Sequence, residues 1–272
     1  MNITAGTNAR QLTARLQRVL LLDARQASAR MTADLVKGLG AGRIYTETVE
    51  AAALETCQQL EPQLLIIELA GPNFDGLRFA KTLRRSRMAC RAAPIIMVTA
   101  EATAATIVGA RNAGVHEFLR KPFAIRDLSR RMEAVLTVRR DWIEAVNYIG
   151  PDRRRFNSGE YQGPRKRQAD QTADEEGRRI EQALKILKSA LSAVTSDPEQ
   201  ARRSLQAQAQ DLHGVAVRTN DLKLMAAVAP LQRAMIAIGE AGALSRPSLE
   251  AAAAGLWAFA PAKSADPSRV AI

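Results

Sequence analysis

Pro62-Gln63-Leu64-Leu65-Ile66-Ile67-Glu68 is an apolar run of strand length that ends in a carboxylate. Behind it, Gly71-Pro72-Asn73-Phe74-Asp75-Gly76 supplies the residues of a turn leading into a helix. A short, continuously apolar segment bounded in this way reads as a strand buried on both faces of a parallel sheet. Further apolar runs near residues 18–22, 43–46, 94–99 and 115–119 alternate with segments of helical period. This alternation predicts βαβ units, and right-handed crossovers leave a five-stranded, doubly wound parallel sheet over residues 16–137 as the natural α/β topology. In such a sheet, chemistry gathers at the carboxyl ends of the strands. Glu68, Asp23 after Val19-Leu20-Leu21-Leu22, Thr99 after Ile95-Ile96-Met97-Val98, and Lys121 before Pro122 are expected to converge there.

The chain of 272 residues is long enough for two small domains, and its 47% hydrophobic content suits folded ones. No apolar run approaches the roughly 20 residues of a membrane span, and arginines at 10, 15 and 18 interrupt the N-terminal region, so a cytoplasmic protein is expected. Cys57 and Cys90 lie in no metal-binding or redox spacing and read as reduced, buried or half-buried thiols. Two histidines, His116 and His213, are too few for a histidine-rich metal site. Nucleophile-elbow, Walker and dinucleotide-binding signatures are missing, so neither an enzyme nor a metal centre is expected.

A net charge of +11 favours anionic partners. The excess is +7 over residues 1–137, +3 over 138–170 and +1 over 171–272, which argues against a dedicated nucleic-acid domain at the C-terminal end. Residues 138–170 break the α/β pattern with a near-repeat: Tyr148-Ile149-Gly150-Pro151-Asp152 leads to Arg153, Arg154 and Arg155, and Tyr161-Gln162-Gly163-Pro164 leads to Arg165, Lys166 and Arg167. This basic stretch reads as a linker, either solvated or a docking strap, with Trp142 and Tyr148 as packing residues between domains. Residues 1–15 read as a short lead, helical or disordered, and 261–272 as a tail.

Residues 171–260 have helical period. Thr172 with Glu175 suggests a capping box, Asp197-Pro198 a second helix start, and Pro230 a kink or break in a third helix running from about 221 to 238. A fourth is expected from Pro247 to about Phe259. Four amphipathic helices with short connections predict an up-and-down, all-α bundle.

The strand-end residues, taken in order, resemble the flavodoxin-like receiver domain of two-component response regulators. The resemblance rests on Val19–Ala24, Glu68, Val98-Thr99-Ala100 and Ala113–Phe123. It implies that Asp23 and Ala24 stand where the family has an acidic pair, and that Glu68 replaces the phosphate-accepting aspartate. It further implies that Thr99 is the hydroxyl switch residue, Phe118 the aromatic of the fifth strand and Lys121 the conserved-type cation. With Ala24 lacking a carboxylate and Glu68 one methylene longer, Mg²⁺ binding is expected to be weak or absent, since that ion demands near-ideal octahedral geometry. The longer acid is expected to accept bonds from Lys121 and Thr99 instead.

In the second of the four helices, Ala209-Gln210-Asp211-Leu212-His213-Gly214-Val215-Ala216 resembles the signature of histidine phosphotransfer bundles. Gln210 takes the phosphohistidine position and His213 a position usually held by lysine, while Gly214 is a small residue that would admit a partner. The resemblance thus implies an atypical response regulator, or pseudo-receiver, in phosphorelay signal transduction. It would bind a histidine kinase, a receiver, a phosphotransfer domain or a second copy of itself, without a cofactor. A transcription regulator binding nucleic acid through the basic linker, or a receiver that still takes phosphate, are the alternatives.

Overall fold

A computed structural model describes residues 16–138, 140–153, 171–239 and 242–260. These residues divide into two compact units. The first runs to Ile143 and resumes at Tyr148, and the second takes Glu144–Asn147 together with the described residues from 171 onward.

The first unit is a parallel sheet of β1 (Arg18–Leu22), β2 (Arg43–Glu47), β3 (Leu64–Glu68), β4 (Ile95–Thr99) and β5 (Glu117–Arg120), in the order β2-β1-β3-β4-β5. β3 and β4 are buried at every position, as their unbroken apolar sequences require of central strands covered on both faces. One face packs Val19, Leu21, Ile66, Ile96 and Val98 against α1 (Gln26–Gly38) and α5 (Ile125–Thr137). The other packs Leu20, Leu65, Ile67 and Met97 against α2 (Glu50–Leu60), α3 (Gly76–Arg85) and α4 (Ala104–Asn112). Each fully buried leucine or isoleucine contributes about 1.5–3 kcal/mol by leaving water.

α3 begins directly against the end of β3. The Asp75 carboxylate caps it by accepting from the amides of Leu77 and Arg78 at 2.8 and 3.1 Å. Gly76 is required there, because a Cβ would lie 2.3 Å from the Glu68 carbonyl oxygen.

After α5, residues 140–143 and 148–153 are built into this unit. Trp142, expected between domains, lies under the guanidinium groups of Arg84 and Arg91 at 5.4 and 5.5 Å, both within the first unit. Tyr148 is buried in the same unit, and its hydroxyl donates to the Pro151 carbonyl. Arg84 is fully buried and donates to the carbonyls of Gly114, Arg91 and Ala93. Burial draws its guanidinium well down, to about 9, which still leaves it charged at neutral pH. Gly150 and Gly114 meet backbone to backbone: a Cβ on Gly150 would lie 2.7 Å from the Gly114 Cα. Nearby, the buried Glu117 carboxylate pairs with Arg131 at 3.0 Å and, more closely, with Arg140.

The second unit is a ring of helices α6 (Gln171–Ser192), α7 (Pro198–Thr219), α8 (Leu222–Ile238) and α9 (Arg246–Ala253), with a 3₁₀ turn over Ala254–Phe259. Each packs on the next and α9 returns to α6, around a core that includes Leu187, Leu205, Leu212, Leu231 and Leu256. The helix starts at Pro198 and Leu222 are capped by Asp197 and Asp221. Pro230 does not break α8, which is continuous across it. Buried Val228 and Leu231 on either side hold the helix in the core, so tertiary packing outweighs the missing donor. The capping box expected at Thr172 lies outside the described side chains.

α7 carries a second buried stripe beside its core face, Gln200, Ser204 and Gln208, at helical spacing. It receives Glu144–Asn147. The Gln200 amide donates to Glu144 Oε1 at 3.1 Å and to the Ala145 carbonyl at 3.3 Å, and Gln208 donates to the Glu144 carbonyl at 3.4 Å. Val146 packs against the core of the bundle.

Candidate functional site

Parallel pairing of Leu22 with Ile67 sets Asp23 and Glu68 side by side at the carboxyl ends of β1 and β3. Thr99 ends the neighbouring β4, and the amide of Lys121, just past β5, donates to the Thr99 carbonyl at 2.7 Å. The sheet thus brings Asp23, Glu68, Thr99 and Lys121 to one place, as the strand ends predict.

The Lys121 ammonium stands at the centre. It donates to Asp23 Oδ2 and Ser28 Oγ, each at 2.9 Å, and to Glu68 Oε2 in a closer contact. Ser28, in the first turn of α1, donates its hydroxyl proton to Asp23 Oδ2 at 2.6 Å, and the Arg25 amide donates to Asp23 Oδ1 at 2.9 Å. The side chains of Lys121, Asp23 and Glu68 are only 13%, 10% and 9% exposed, so their bonds are formed largely out of water and are charge-assisted.

The two carboxylates differ. Burial pushes both upward, but bonds from Ser28, Lys121 and the Arg25 amide bring Asp23 below the ordinary aspartate value. Glu68 stays above the ordinary glutamate value, because burial and the adjacent Asp23 charge outweigh Lys121.

The other expected members are placed as follows. Thr99 is buried, and its hydroxyl accepts from the Glu101 amide at 3.1 Å; the bond expected between Thr99 and Glu68 is not formed. The chain turns there before α4, and the hydroxyl serves that turn. Phe118 is buried in the core on the α2, α3 and α4 face. Ala24 is half-buried beside Gly71, where an added Cβ would lie 2.7 Å from the Ala24 Cβ.

In α7, Gln210 is exposed, while His213 and Gly214 are half-buried. His213 Nδ1 is buried without a hydrogen-bond partner among the described residues. Gly214 is not open surface: the Arg218 guanidinium lies 3.2 Å from where its Cβ would be, held by Glu176 at 2.8 and 3.1 Å. Of the basic linker, Arg153 donates to Asn112 Oδ1 at 2.9 Å and covers the Tyr148 ring at 4.2 Å. Arg154, Arg155, Arg165, Lys166 and Arg167 lie outside the described residues.

Ser28 and Arg84 were not legible as functional in the sequence. The only signal for Ser28 is its position five residues after Asp23, one turn into a helix.

Residues 19–133 match the family model described as response regulator receiver domain. The chain is 30% identical over 118 residues to the KDP operon transcriptional regulatory protein KdpE of Escherichia coli (strain K12), covering 43% of this chain and 50% of that protein. It is 34% identical over 94 residues to response regulator MprA of Mycobacterium ulcerans (strain Agy99), covering 33% and 39%. The chain therefore spans half or less of the length of these curated relatives. Among solved structures, a CheY-like receiver domain protein from Methanospirillum hungatei JF-1 aligns with a TM-score of 0.41 and 22% identity, covering 44% of this chain and 94% of that one. Chemotaxis protein CheY4 of Vibrio cholerae aligns with a TM-score of 0.42 and 23% identity, covering 44% and 99%.

Receiver domains bind a divalent cation between clustered carboxylates. Here the donor set does not fit one: Ala24 offers no oxygen, an ammonium already bonds both remaining carboxylates, and no metal-ligand group of three or more acids, histidines or cysteines gathers among the described residues. Among those residues no helix is long and apolar enough to cross a membrane. Within the first unit, residues 19–133 carry the match to the response regulator receiver domain.

Proposed function

We propose that this chain is a pseudo-receiver, an atypical response regulator that signals by binding proteins rather than by taking and passing a phosphoryl group. The observation that carries the reading is the Lys121 ammonium, bonded at once to Asp23, Glu68 and Ser28. In phosphoryl transfer the protein must leave room for metal and phosphoryl oxygens and offer cations to them. Here the cation is spent on two carboxylates of the chain itself, and Glu68 holds its charge where an incoming anion would have to sit.

The bundle is proposed to be a phosphotransfer-like domain without transfer. Gln210 is exposed on α7 and cannot carry phosphate, which leaves that face a binding role toward a kinase, a receiver or a second copy of the chain.

The test is incubation of the full chain with acetyl phosphate and Mg²⁺, read by intact mass. No adduct is expected; a stoichiometric gain of about 80 Da, one phosphoryl group, would overturn the reading.

A second reading has its own support: the net charge of +11, and the description of KdpE as a transcriptional regulatory protein. Under it the chain binds nucleic acid through its basic segment between the units. Phosphate-led binding weakens steeply as salt rises. DNA retention that falls by orders of magnitude between low and physiological salt favours this reading, and no retention at low salt excludes it.

A further inference from the structure

Both cysteines of the chain lie in the same buried cluster of the first unit, far apart in sequence. Cys57 is in the last two turns of α2, and Cys90 lies in the 3₁₀ turn Ala89–Ala92 that follows α3. Cys90 Sγ donates to the Cys57 carbonyl at 3.3 Å, which brings the end of α2 and the turn together at the two cysteines. A sulfur that reaches the backbone carbonyl of the other cysteine lies within side-chain rotations of that residue's own sulfur. The receiver pocket uses neither thiol, and neither is paired at present.

We propose that Cys57 and Cys90 are a built dithiol that closes to an intramolecular disulfide when the chain meets a hydroperoxide. This goes beyond the pseudo-receiver reading and stands without it.

The two sulfurs are unequal in the way the reaction needs. The neighbouring Cys57 thiol first, and the backbone after it, hold the Cys90 thiol below its ordinary value against burial and the Glu61 charge, with the buried Arg84 charge a lesser help. The neighbouring Cys90 thiol, and burial, hold Cys57 protonated. The thiolate is the reactive form of a cysteine. Cys90 is also the less buried, at 5% exposure against 0% for Cys57, so it is the sulfur a small oxidant reaches first.

In the first step the Cys90 thiolate attacks one peroxide oxygen, the O–O bond breaks, and the departing hydroxide takes a proton to become water. Cys90 is left as a sulfenic acid. The Cys57 sulfur then attacks that sulfur. The S–S bond forms, the S–O bond breaks, and the leaving hydroxide takes the Cys57 proton as a second water. Two thiols lose two electrons, and one peroxide gains them.

The bond would tie the end of α2 to the turn whose Arg91 carbonyl, with the Ala93 carbonyl just past it, holds Arg84. The effect is therefore felt at the Arg84 anchor and not at the strand ends.

The experiment treats the folded full chain with hydrogen peroxide, and separately with diamide, then denatures it with iodoacetamide and reads the intact mass. The expected product is a monomer lighter by about 2 Da that takes up no alkyl group and recovers both thiols on reduction. Cys57→Ser should give no such loss, and its Cys90 should become a sulfenic acid trapped by dimedone. The proposal falls if both reagents leave two alkylatable thiols. It falls equally if Cys90 is driven to the sulfinic acid while Cys57 stays free.

Discussion

His116 shows how a single buried group ties the stability of the first unit to pH. Its Nδ1 accepts from the Ile95 amide at 3.2 Å, and burial with the nearby charges of Arg84 and Arg140 holds its pKa well below the ordinary 6.5. The folded ring stays neutral, whereas the unfolded chain takes up a proton as pH falls below that value. Stability from this group is therefore present above about 6.5 and lost below it, at up to about 1.4 kcal/mol per pH unit. We expect the urea midpoint of the unit to drop between pH 7.5 and 5.5, and His116→Asn, which keeps an acceptor near the Nδ1 position, to flatten that slope. An unchanged slope would place the acid sensitivity elsewhere. At the pocket, Glu68→Asp alone is expected to leave the chain without phosphorylation by acetyl phosphate, because position 24 still lacks a carboxylate. Ala24→Asp must be added, and a single variant labelled as readily as the double would show that position 24 has no such role.

Among the elements, the central strands β3 and β4 were legible because each is a run of apolar residues up to its last position. The convergence of Asp23, Glu68 and Lys121 followed from topology alone. Ser28 did not, since its bond to Lys121 spans 93 residues and depends on how α1 lies on the sheet. The placement of Trp142 and Tyr148 was hidden for a similar reason. Trp142 and Tyr148 looked like domain-bridging residues because nothing local announces that Arg84, far earlier in the chain, is buried in the same unit with its guanidinium over the Trp142 ring. Trp142→Ala should destabilise the first unit by about 2 kcal/mol, the loss of a desolvated cation–π contact, measured by chemical unfolding of the full chain. At Pro230 the opposite holds: packing keeps the helix unbroken against a local rule. Pro230→Ala should restore the missing backbone donor and raise the stability of the bundle by about 1–3 kcal/mol; a destabilised variant would mean that the proline ring itself is needed for packing.

At the level of the whole molecule, the bundle is not a contiguous piece of sequence. Glu144–Asn147 covers the Gln200, Ser204 and Gln208 stripe, so a fragment beginning at residue 171 lacks one of its own parts. The fragment should still fold, because the leucine core lies within α6 to α9. It should be less stable than the bundle in the full chain by about 2–5 kcal/mol, the sum of a partly buried valine and a few hydrogen bonds. Equal stability in thermal unfolding would make the segment a passive passenger.

That interleaving also imposes an order on biosynthesis. Glu144–Asn147 leaves the ribosome about 50 residues before the start of α7 and about 70 before its end, a delay of several seconds at ordinary elongation rates. Through that interval Val146 has no core to enter, and the Glu144 and Ala145 carbonyls lack the glutamine amides that later bond them. The strap residues Tyr148–Arg153, by contrast, can complete the first unit within a second or so of its last helix. The nascent chain is thus held with a finished N-terminal unit and a waiting tetrapeptide, and a pause or truncation between residues 153 and 198 would present that tetrapeptide to chaperones and proteases.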